Sequence, residues 1–185
     1  MDVNWTESAP DLFTLQTMPR GSETGIWVHQ LFEKLFSQRI WHSPAALSAL
    51  IAEELRFSAL APWQKPIEQM VQQTLSMPLL AGFSLSEVEQ FQVEMEFVFS
   101  SAPHFIKGFI DFVFLFQDKV YFLDWKTNWL EDYGQISLQK AMQAHDYGLQ
   151  ASLYAEAIRR HFKKEYGGAF YVFVRGGAYL KIEAL

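Results

Sequence analysis

Cysteine is absent from this chain of 185 residues. The protein therefore has no disulfide framework, no zinc site built from thiolates and no iron–sulfur cluster held by cysteine. A cysteine-free sequence fits a reducing compartment, and oxidising compartments accept such chains too. The absence of cysteine thus excludes several kinds of site, but it does not determine the cellular compartment.

Long apolar runs are also absent. No stretch of about 18 apolar residues occurs, so the sequence predicts no membrane-spanning helix. The first residues, Met-Asp-Val-Asn-Trp-Thr-Glu, lack the basic and apolar regions of a secretory signal peptide. We therefore expect a cytoplasmic protein without a membrane partner.

Basic residues are fewer than acidic residues. The formal net charge is −6 at pH 7, which argues mildly against a protein that grips nucleic acid by bulk electrostatics. Carboxylates that bind a divalent cation contribute to this total, and the bound cation would reverse their sign locally. An acidic total is therefore compatible with a metal-dependent site for an anionic substrate.

Aromatic side chains are abundant by contrast, with 17 Phe, 7 Tyr and 6 Trp. This supply is enough for one proper hydrophobic core without disulfides. Residues 1–20 are polar and irregular, with Pro10 and Pro19 as breakers, and we interpret them as an N-terminal arm or linker. Residues 21–185 are predicted to form a single domain.

The hydrophobic period changes along this domain. Helical spacing dominates the part from about 21 to 90, and strands followed by a helix and a strand are predicted for about 91 to 176. The fold class is therefore α/β (α+β), with a central mixed sheet flanked by helices. The individual predictions are helices at 21–36, 43–80 (broken at prolines) and 139–164, and strands at 92–99, 106–116, 120–127 and 169–175.

Two carboxylates and an ammonium lie within two otherwise apolar predicted strands. Asp111 is in the first, and Asp124 and Lys126 are in the second. Residues two apart share one face of a strand, so Asp124 and Lys126 project together. An even-length loop such as 116–119 would place Asp111 opposite Asp124, whereas an odd one would move Asp111 to the other face.

Burying these charges is costly unless they are paired or bind a metal. Two neighbouring carboxylates repel each other, so one would protonate unless a cation lies between them. Mg²⁺ prefers carboxylate and carbonyl oxygens, and Lys126 could then orient water or offset charge on a substrate. The simpler alternative is a buried Asp–Lys ion pair, since Asp-x-Lys alone is common.

The ordered motifs resemble the RecB-type nuclease domains of bacterial helicase–nucleases, a group within the PD-(D/E)XK nuclease superfamily. The resemblance covers nearly the whole of residues 21–176. It is carried by Gly-Phe-Ile-Asp (108–111), Asp-Trp-Lys-Thr-Asn-Trp-Leu (124–130), Gly-Ser-Glu-Thr-Gly-Ile-Trp-Val-His (21–29), Val-Glu-Met-Glu-Phe (93–97), and segments 141–147, 149–154 and 167–176.

The resemblance implies a restriction-endonuclease-like core and a set of site residues. By match to the family, metal ligands would be His29, Asp111, Asp124 and the main-chain carbonyl of Trp125. The catalytic residues would be Asp111, Asp124, Lys126, Gln150 and Tyr154. Mg²⁺ would be the cofactor, and Mn²⁺ or Ca²⁺ could bind at the same site. The proline that names the family is replaced by Ile110, which is usual for RecB-like members.

The resemblance also implies partners. DNA strands would be delivered by a helicase motor during double-strand break repair and recombination. No Gly-x-x-x-x-Gly-Lys-Ser/Thr phosphate loop occurs in this chain, so the motor is expected in another portion of a longer chain. RecC- and RecD-like subunits would be further partners.

Two alternatives accompany this interpretation. One is a nuclease-like module that has lost catalysis and guides or docks DNA; the presence of His29, Asp111, Asp124 and Lys126 argues against it. The other is a related nuclease stapled by an iron–sulfur cluster, against which the absence of cysteine argues.

Several flanking residues are ambiguous from sequence. A histidine beside an apolar stripe, as His29 is, is more often a packed residue than a ligand, and imidazole is not a typical Mg²⁺ ligand. Glu94 and Glu96, which share one face of a predicted strand, are interpreted as solvated, with a role beside the metal ligands or at a second metal ion as the alternative. The basic run at 159–164 has two interpretations, favourable placement of cations at a helix C-terminus or contact with DNA, and Arg175 is ambiguous in the same way.

Overall fold

The computed structural model describes residues 12–101 and 103–183. The proposed N-terminal arm therefore lies partly outside the described residues. Residues 12–20 form turns and irregular backbone, and Met18 among them is buried. The division into an arm and one nuclease domain stays a prediction.

Three helices open the described chain. They are α1 (Ser22–Ser37), α2 (Pro44–Leu55) and α3 (Gln64–Ser76). The N-terminus of α2 is set by Ser43, whose side chain accepts the Ala46 N–H, and by Pro44 at the first helical position. In α1, the apolar stripe of Val28, Leu31, Phe32, Leu35 and Phe36 is buried, as its spacing predicts.

A two-stranded hairpin, β1 (Pro78–Leu80) with β2 (Phe83–Ser84), follows the helices. The main sheet then contains β3 (Phe91–Ser101), β4 (His104–Phe116), β5 (Lys119–Lys126), β6 (Glu165–Phe173) and β7 (Ala178–Glu183), in that spatial order. β5 and β6 are parallel, and the other neighbours are antiparallel. The predicted α+β fold with a mixed sheet is confirmed.

The crossover between the parallel strands consists of α4 (Gln135–Ala144) and α5 (Tyr147–His161). The single helix predicted for 139–164 is wrong in this respect. Asp146 adopts a left-handed conformation with φ of 53°, which breaks the helix just before α5. β7 was not predicted either. None of the helices in the described part of the chain has both the length and the apolarity needed to cross a bilayer.

The sheet separates two hydrophobic cores. One core joins α1–α3 to side chains such as Phe112 and Trp125, and the other joins α4 and α5 to side chains such as Phe122 and Tyr171. Along β4 the buried face changes at one place, because Ile110 faces the second core and Phe112 the first. Asp111 lies at this change of face.

The partner strand changes face at the same level. Val93 packs against the first core and Met95 belongs to the second, and Glu94 between them has a positive φ of 46°. Ladder pairing with β4 keeps one register on both sides of Glu94. The sheet is therefore twisted locally where Glu94 and Asp111 stand, without the insertion of an extra residue.

Candidate active site

The candidate site lies at the C-terminal end of β5, between α1 and α5. Lys126 is the last residue of β5, His29 is on α1, and Gln150 and Tyr154 are on α5. Helix α1 runs close to the end of β5 at Gly25, where a β-carbon would meet Thr127 Oγ1 at 3.2 Å. The glycine thus permits the close approach that brings His29 to the strand.

The β4–β5 hairpin has the even register that the functional interpretation requires. The ladder pairs Phe116 with Lys119 and ends with Phe112 opposite Leu123, so Asp111 and Asp124 follow directly beyond its last pair. The loop is the two residues Gln117 and Asp118, both with positive φ, which is the type I′ geometry of tight hairpins. The predicted register is confirmed.

Asp111 connects the sheet to helix α1. Its Oδ2 atom accepts a hydrogen bond of 2.8 Å from the main-chain N–H of Trp125, and it lies 3.3 Å from Nδ1 of His29. The carboxylate therefore takes over a backbone donor of β5 where the two strands stop pairing. It also ties the position of His29 to that of β5.

The pKa of His29 is raised by this neighbourhood. Burial by itself lowers it, but the hydrogen bond to Asp111 and the negative charges of Asp111 and Asp124 together outweigh burial. The two carboxylates thus favour the protonated form of His29.

Asp124 and Lys126 form a buried ion pair. Lys126 Nζ lies 2.5 Å from Asp124 Oδ2, and their side chains are 10% and 3% exposed. The ammonium of Lys126 is therefore the close partner of this buried carboxylate oxygen. Burial, followed by repulsion from Asp111, raises the pKa of Asp124 to about 7 despite the attraction of Lys126.

Helix α5 supplies a second set of contacts to Lys126. Its ammonium lies 3.3 Å from Gln150 Oε1, and Gln150 Nε2 donates to the Tyr154 hydroxyl at 3.0 Å. The ring of Tyr147 lies under the ammonium, 3.7 Å from its centroid. Sequence reasoning did not assign Tyr147 a role, although it lies in one of the motifs that carry the family resemblance.

Tyrosine hydroxyls around Asp124 stay protonated. Burial, and next the charge of Asp124, raises the pKa of Tyr154 to about 12. The same two causes raise the pKa of Tyr171, whose hydroxyl donates to the Tyr147 carbonyl at 3.2 Å. These groups are therefore hydrogen-bond donors at neutral pH and not bases.

Glu94 was interpreted from sequence as solvated, and here the structure differs. It is half buried and lines an open depression that also includes His29 and Asp111. Burial, and then repulsion from Asp111 and Glu33, raises the pKa of Glu94. Glu96 is exposed and pairs with Lys107 at 2.5 Å, as a solvated residue would.

The donor types present suit a divalent cation. His29, Asp111, Asp124 and the Trp125 backbone offer imidazole, carboxylate and carbonyl donors, and Asp124 Oδ2 is a buried acceptor without a hydrogen bond. As the side chains stand, however, no group of three or more His, Cys, Asp or Glu residues within 12–101 and 103–183 is arranged around a common point for a metal. His29 is turned to Asp111, and Asp124 to Lys126.

Two further sets of basic residues lie away from this site. Arg175 is buried and donates to the carbonyls of Thr127 (2.9 Å), Leu15 (3.0 Å), Met18 (2.9 Å) and Pro19. It is therefore a structural clamp. In the basic run at 159–164, Arg160 pairs with Glu156, and Lys164 contacts Asp118.

Comparison with known families agrees with this geometry. The sequence model described as PD-(D/E)XK nuclease superfamily matches residues 9–183. The chain belongs to this superfamily. The site described above lies on the strands and helices that carry the sequence resemblance.

Individual relatives point to one kind of member. RecBCD enzyme subunit RecB of Escherichia coli (strain K12) is 31% identical, over 88% of this chain and 17% of that protein. The RecB subunits of Chlamydia pneumoniae and of Buchnera aphidicola subsp. Acyrthosiphon pisum are 28% and 23% identical, over 78% and 93% of this chain and 15% and 18% of those proteins. The predicted similarity to RecB-type nuclease domains is confirmed, and the chain spans less than a fifth of these relatives' length.

Proposed function

We propose that this chain is a metal-dependent deoxyribonuclease that hydrolyses phosphodiester bonds of DNA. The observation that carries the proposal is the continuous set of contacts from His29 through Asp111, the Trp125 backbone, Asp124, Lys126 and Gln150 to Tyr154. A set of opposed charges so deeply buried is costly for stability alone. It is well explained by a site for a cation and an anionic substrate.

Lys126 is proposed to act on the reacting phosphate. An ammonium has three N–H donors; one is directed to Gln150 Oε1, and the Asp124 carboxylate lies against the ammonium on another side as its charge partner. The remaining donor can hold the attacking water or a non-bridging phosphate oxygen, where positive charge offsets the charge that develops in the transition state. Tyr147 under the ammonium and Tyr154 behind Gln150 limit its movement.

His29, Asp111, Asp124 and the Trp125 carbonyl are proposed to hold the cation, with Mg²⁺ as the expected ion and Mn²⁺ or Ca²⁺ as possible replacements. Such an ion, when bound, polarises a phosphate and lowers the pKa of water. Both carboxylates must then be ionised, so the proton that Asp124 retains near neutral pH has to leave. The imidazole of His29 must likewise be neutral to act as a ligand.

The wider assembly is part of the same proposal. By similarity to the RecB subunits of RecBCD enzymes, the chain would work with a helicase motor in the remainder of a longer polypeptide and with RecC- and RecD-like subunits. Its setting would be the bacterial cytoplasm, in double-strand break repair and recombination. A tethered motor that delivers DNA would also compensate for the acidic charge of −6.

The second candidate is a catalytically inactive module that guides or docks DNA. It is favoured by one observation, namely that the acid and histidine side chains pair with each other and with Lys126 rather than facing a common point. The presence of His29, Asp111, Asp124 and Lys126 favours the active nuclease.

Cleavage of labelled single-stranded and duplex DNA with Mg²⁺, Mn²⁺ or Ca²⁺ separates the candidates. We expect wild-type cleavage with Mg²⁺, and at least a hundredfold loss for Asp124→Ala and for Lys126→Gln. Phe57→Ala, which changes an exposed ring on the surface, is the matched control. Equal activity of wild type and Asp124→Ala would refute the proposal, and absence of cleavage with retained DNA binding would support the inactive module.

A further inference from the structure

We propose that the outward face of the β3–β4 ribbon is a base-stacking platform that guides single-stranded DNA to Asp111. We call this face the outer row; it consists of Val98 on β3 and Phe105, Lys107 and Phe109 on β4. The inference deepens the proposed nuclease function and rests on it. It specifies the substrate as a strand whose bases are unstacked.

The outer row follows from strand alternation. Side chains at 105, 107 and 109 lie on one side of β4, and Ile106 and Ile110 between and after them face the core formed with α5. Phe105, Lys107 and Phe109 are accordingly exposed, whereas Ile110 is buried. The row therefore leads along one strand to the carboxylate of the candidate site.

The opposite face of the same ribbon is well packed. Met95, Phe97 and Phe99 are buried in the core formed with α5, and Phe97 makes an edge contact with Tyr154. The ring of Phe97 lies over Gly108, where a β-carbon would meet it at 2.7 Å. The ribbon is thus fixed from behind by the same helix that holds Lys126, and its outer row has a defined position relative to the site.

The exposure of the outer row is unusual for large apolar side chains. Phe105 is 78% exposed, Val98 59% and Phe109 47%. They are cross-strand neighbours: Val98 pairs with Lys107, which lies between the two phenylalanines on β4. The change of buried face at Asp111 ends the first core there, so the row lies beyond the part of the sheet that α1–α3 cover.

The spacing and chemistry suit a single strand of DNA. Alternate residues on a strand are about 6.8 Å apart, so Phe109 is one such step from Asp111 and Phe105 is about 20 Å away. Exposed aromatic rings stack on unpaired bases irrespective of sequence, and a nearby cation follows the backbone. Lys107 supplies that cation: its Nζ lies 5.8 Å from the Phe109 ring centroid and 2.5 Å from Glu96.

Stacking would have to supply most of the binding free energy. With a net charge of −6 the chain has no excess of positive charge, and Glu94 and Glu96 lie on the adjoining strand. Little of the electrostatic attraction that usually accompanies base stacking is therefore present. A duplex hides its base faces, so the platform discriminates in favour of single strands.

The competing occupant is another protein surface, since the remainder of a longer polypeptide could cover an apolar patch. Three double variants at Phe105 and Phe109 distinguish the two: both to Trp, both to Leu and both to Ala. Leu keeps apolar area but cannot stack on a base, whereas Trp keeps the aromatic face. Phe57→Ala removes a ring that is 94% exposed elsewhere and serves as the matched control.

Binding is measured with EDTA present, by anisotropy of a labelled oligothymidylate of about 20 nucleotides and of a matching duplex. We expect wild type to bind the single strand more tightly than the duplex. The Trp pair and Phe57→Ala should bind the single strand as wild type does, and the Leu and Ala pairs should have a dissociation constant about tenfold higher or more. Circular dichroism spectra check that each variant is folded. In cleavage assays with Mg²⁺, the Leu pair should have a higher KM for the single strand than wild type, and its kcat should equal that of wild type.

The outcomes separate this platform from the nuclease proposal. Wild-type binding that depends on the two rings, without any cleavage, would uphold the platform and overturn the nuclease. Cleavage with Leu-pair binding equal to wild type would overturn the platform alone and indicate a protein-docking patch. Absence of single-strand binding by wild type would also overturn the platform.

Discussion

The ammonium of Lys126 lies 2.5 Å from the Asp124 carboxylate, and the contact does not lower the pKa of that carboxyl to an ordinary value. Burial and the neighbouring charge of Asp111 outweigh the lysine, and the pKa of Asp124 rises to about 7. The ion pair is therefore insufficient to balance the site. A further cation is what would keep both aspartates ionised at neutral pH.

Stability of the metal-free protein should consequently depend on pH. Because the pKa of Asp124 is higher in the folded than in the unfolded chain, the folded state holds the extra proton, and stability falls as the pH rises from about 4 to about 7. Asp124→Asn cannot ionise. In EDTA at pH 8 we expect this variant to be more stable than wild type by a few kcal/mol, and the difference should vanish near pH 4.

Urea denaturation at a series of pH values measures this difference. Glu53→Gln, which removes an exposed carboxylate paired with Arg56, is the control and should change stability little at any pH. Added Mg²⁺ should stabilise wild type but not Asp124→Asn, because cation binding favours the ionised carboxylate. An Asn variant less stable than wild type at pH 8 in EDTA would contradict the expected cost of ionising Asp124.

Lys126 contacts Gln150, and Gln150 contacts Tyr154, so we expect graded effects on catalysis along this series of contacts. Gln150→Ala removes a direct contact to the ammonium, and kcat should fall about tenfold to a hundredfold. Tyr154→Phe removes only the partner behind Gln150, so its loss should be a few-fold. Single-turnover cleavage at saturating DNA measures the chemical step, and Ser152→Ala on the exposed face of α5 is the control. A Tyr154→Phe variant as impaired as Gln150→Ala would indicate that the tyrosine acts directly.

Much of the fold was predictable because its signals are local. The apolar stripe of α1 follows from a short stretch of sequence and determines where His29 lies. The length of the β4–β5 loop was open between even and odd from sequence, and the even register was the one that the proposed site required. The register argument succeeded because a strand has a period of two, and a two-residue loop therefore fixes which side chains face one another. The residue types of the site were likewise visible before the structure.

Other features depend on tertiary contacts and escaped prediction. The break at Asp146 and the strand β7 have weak local signals, since Asp is not a strong helix breaker and β7 is mostly half buried. Tyr147 contacts Lys126 only because this break directs α5 toward β5. The buried clamp of Arg175 could not be inferred either, because three of its carbonyl partners lie 156 to 160 residues away in sequence and the fourth, Thr127, lies 48 residues away.

Arg175 should contribute strongly to stability. Its guanidinium donates to four carbonyls and joins the segment at Leu15 and Met18 to the backbone that follows β5 at Thr127. Arg175→Ala leaves these buried acceptors unpaired, and we expect a loss of about 3 kcal/mol or more. Arg175→Lys should recover only part of the lost stability, because an ammonium has fewer donors than a guanidinium and a less suitable geometry for four carbonyls.

Chemical denaturation with Arg56→Ala as the control tests this clamp. Arg56 is an exposed arginine in a surface pair with Glu53, so its loss should cost less than about 1 kcal/mol. DNA affinity measured at a temperature where the Arg175 variants are folded should equal that of wild type. A selective loss of affinity without loss of stability would assign Arg175 to DNA contact instead.

Glu94 combines backbone strain with charge repulsion beside Asp111, and the two can be separated by a pair of variants. Its φ of 46° is unfavourable for any residue with a β-carbon. Glu94→Ala removes the charge and keeps the strain, whereas Glu94→Gly removes both. We expect Glu94→Gly to be more stable than Glu94→Ala by about 1 kcal/mol, although glycine is normally the less stable choice within a strand.

Gln117, which also has a positive φ but lies in the hairpin loop away from the site, provides the matched control. Gln117→Gly should show a similar stability gain over Gln117→Ala and no change in DNA cleavage. Both Glu94 variants should lose cleavage activity to an equal degree, because a strained carboxylate held against Asp111 is retained most simply for its charge. Glu94→Gly that is no more stable than Glu94→Ala would show that the backbone at this position stores no strain, and the carboxylate would then need another explanation for its place beside Asp111.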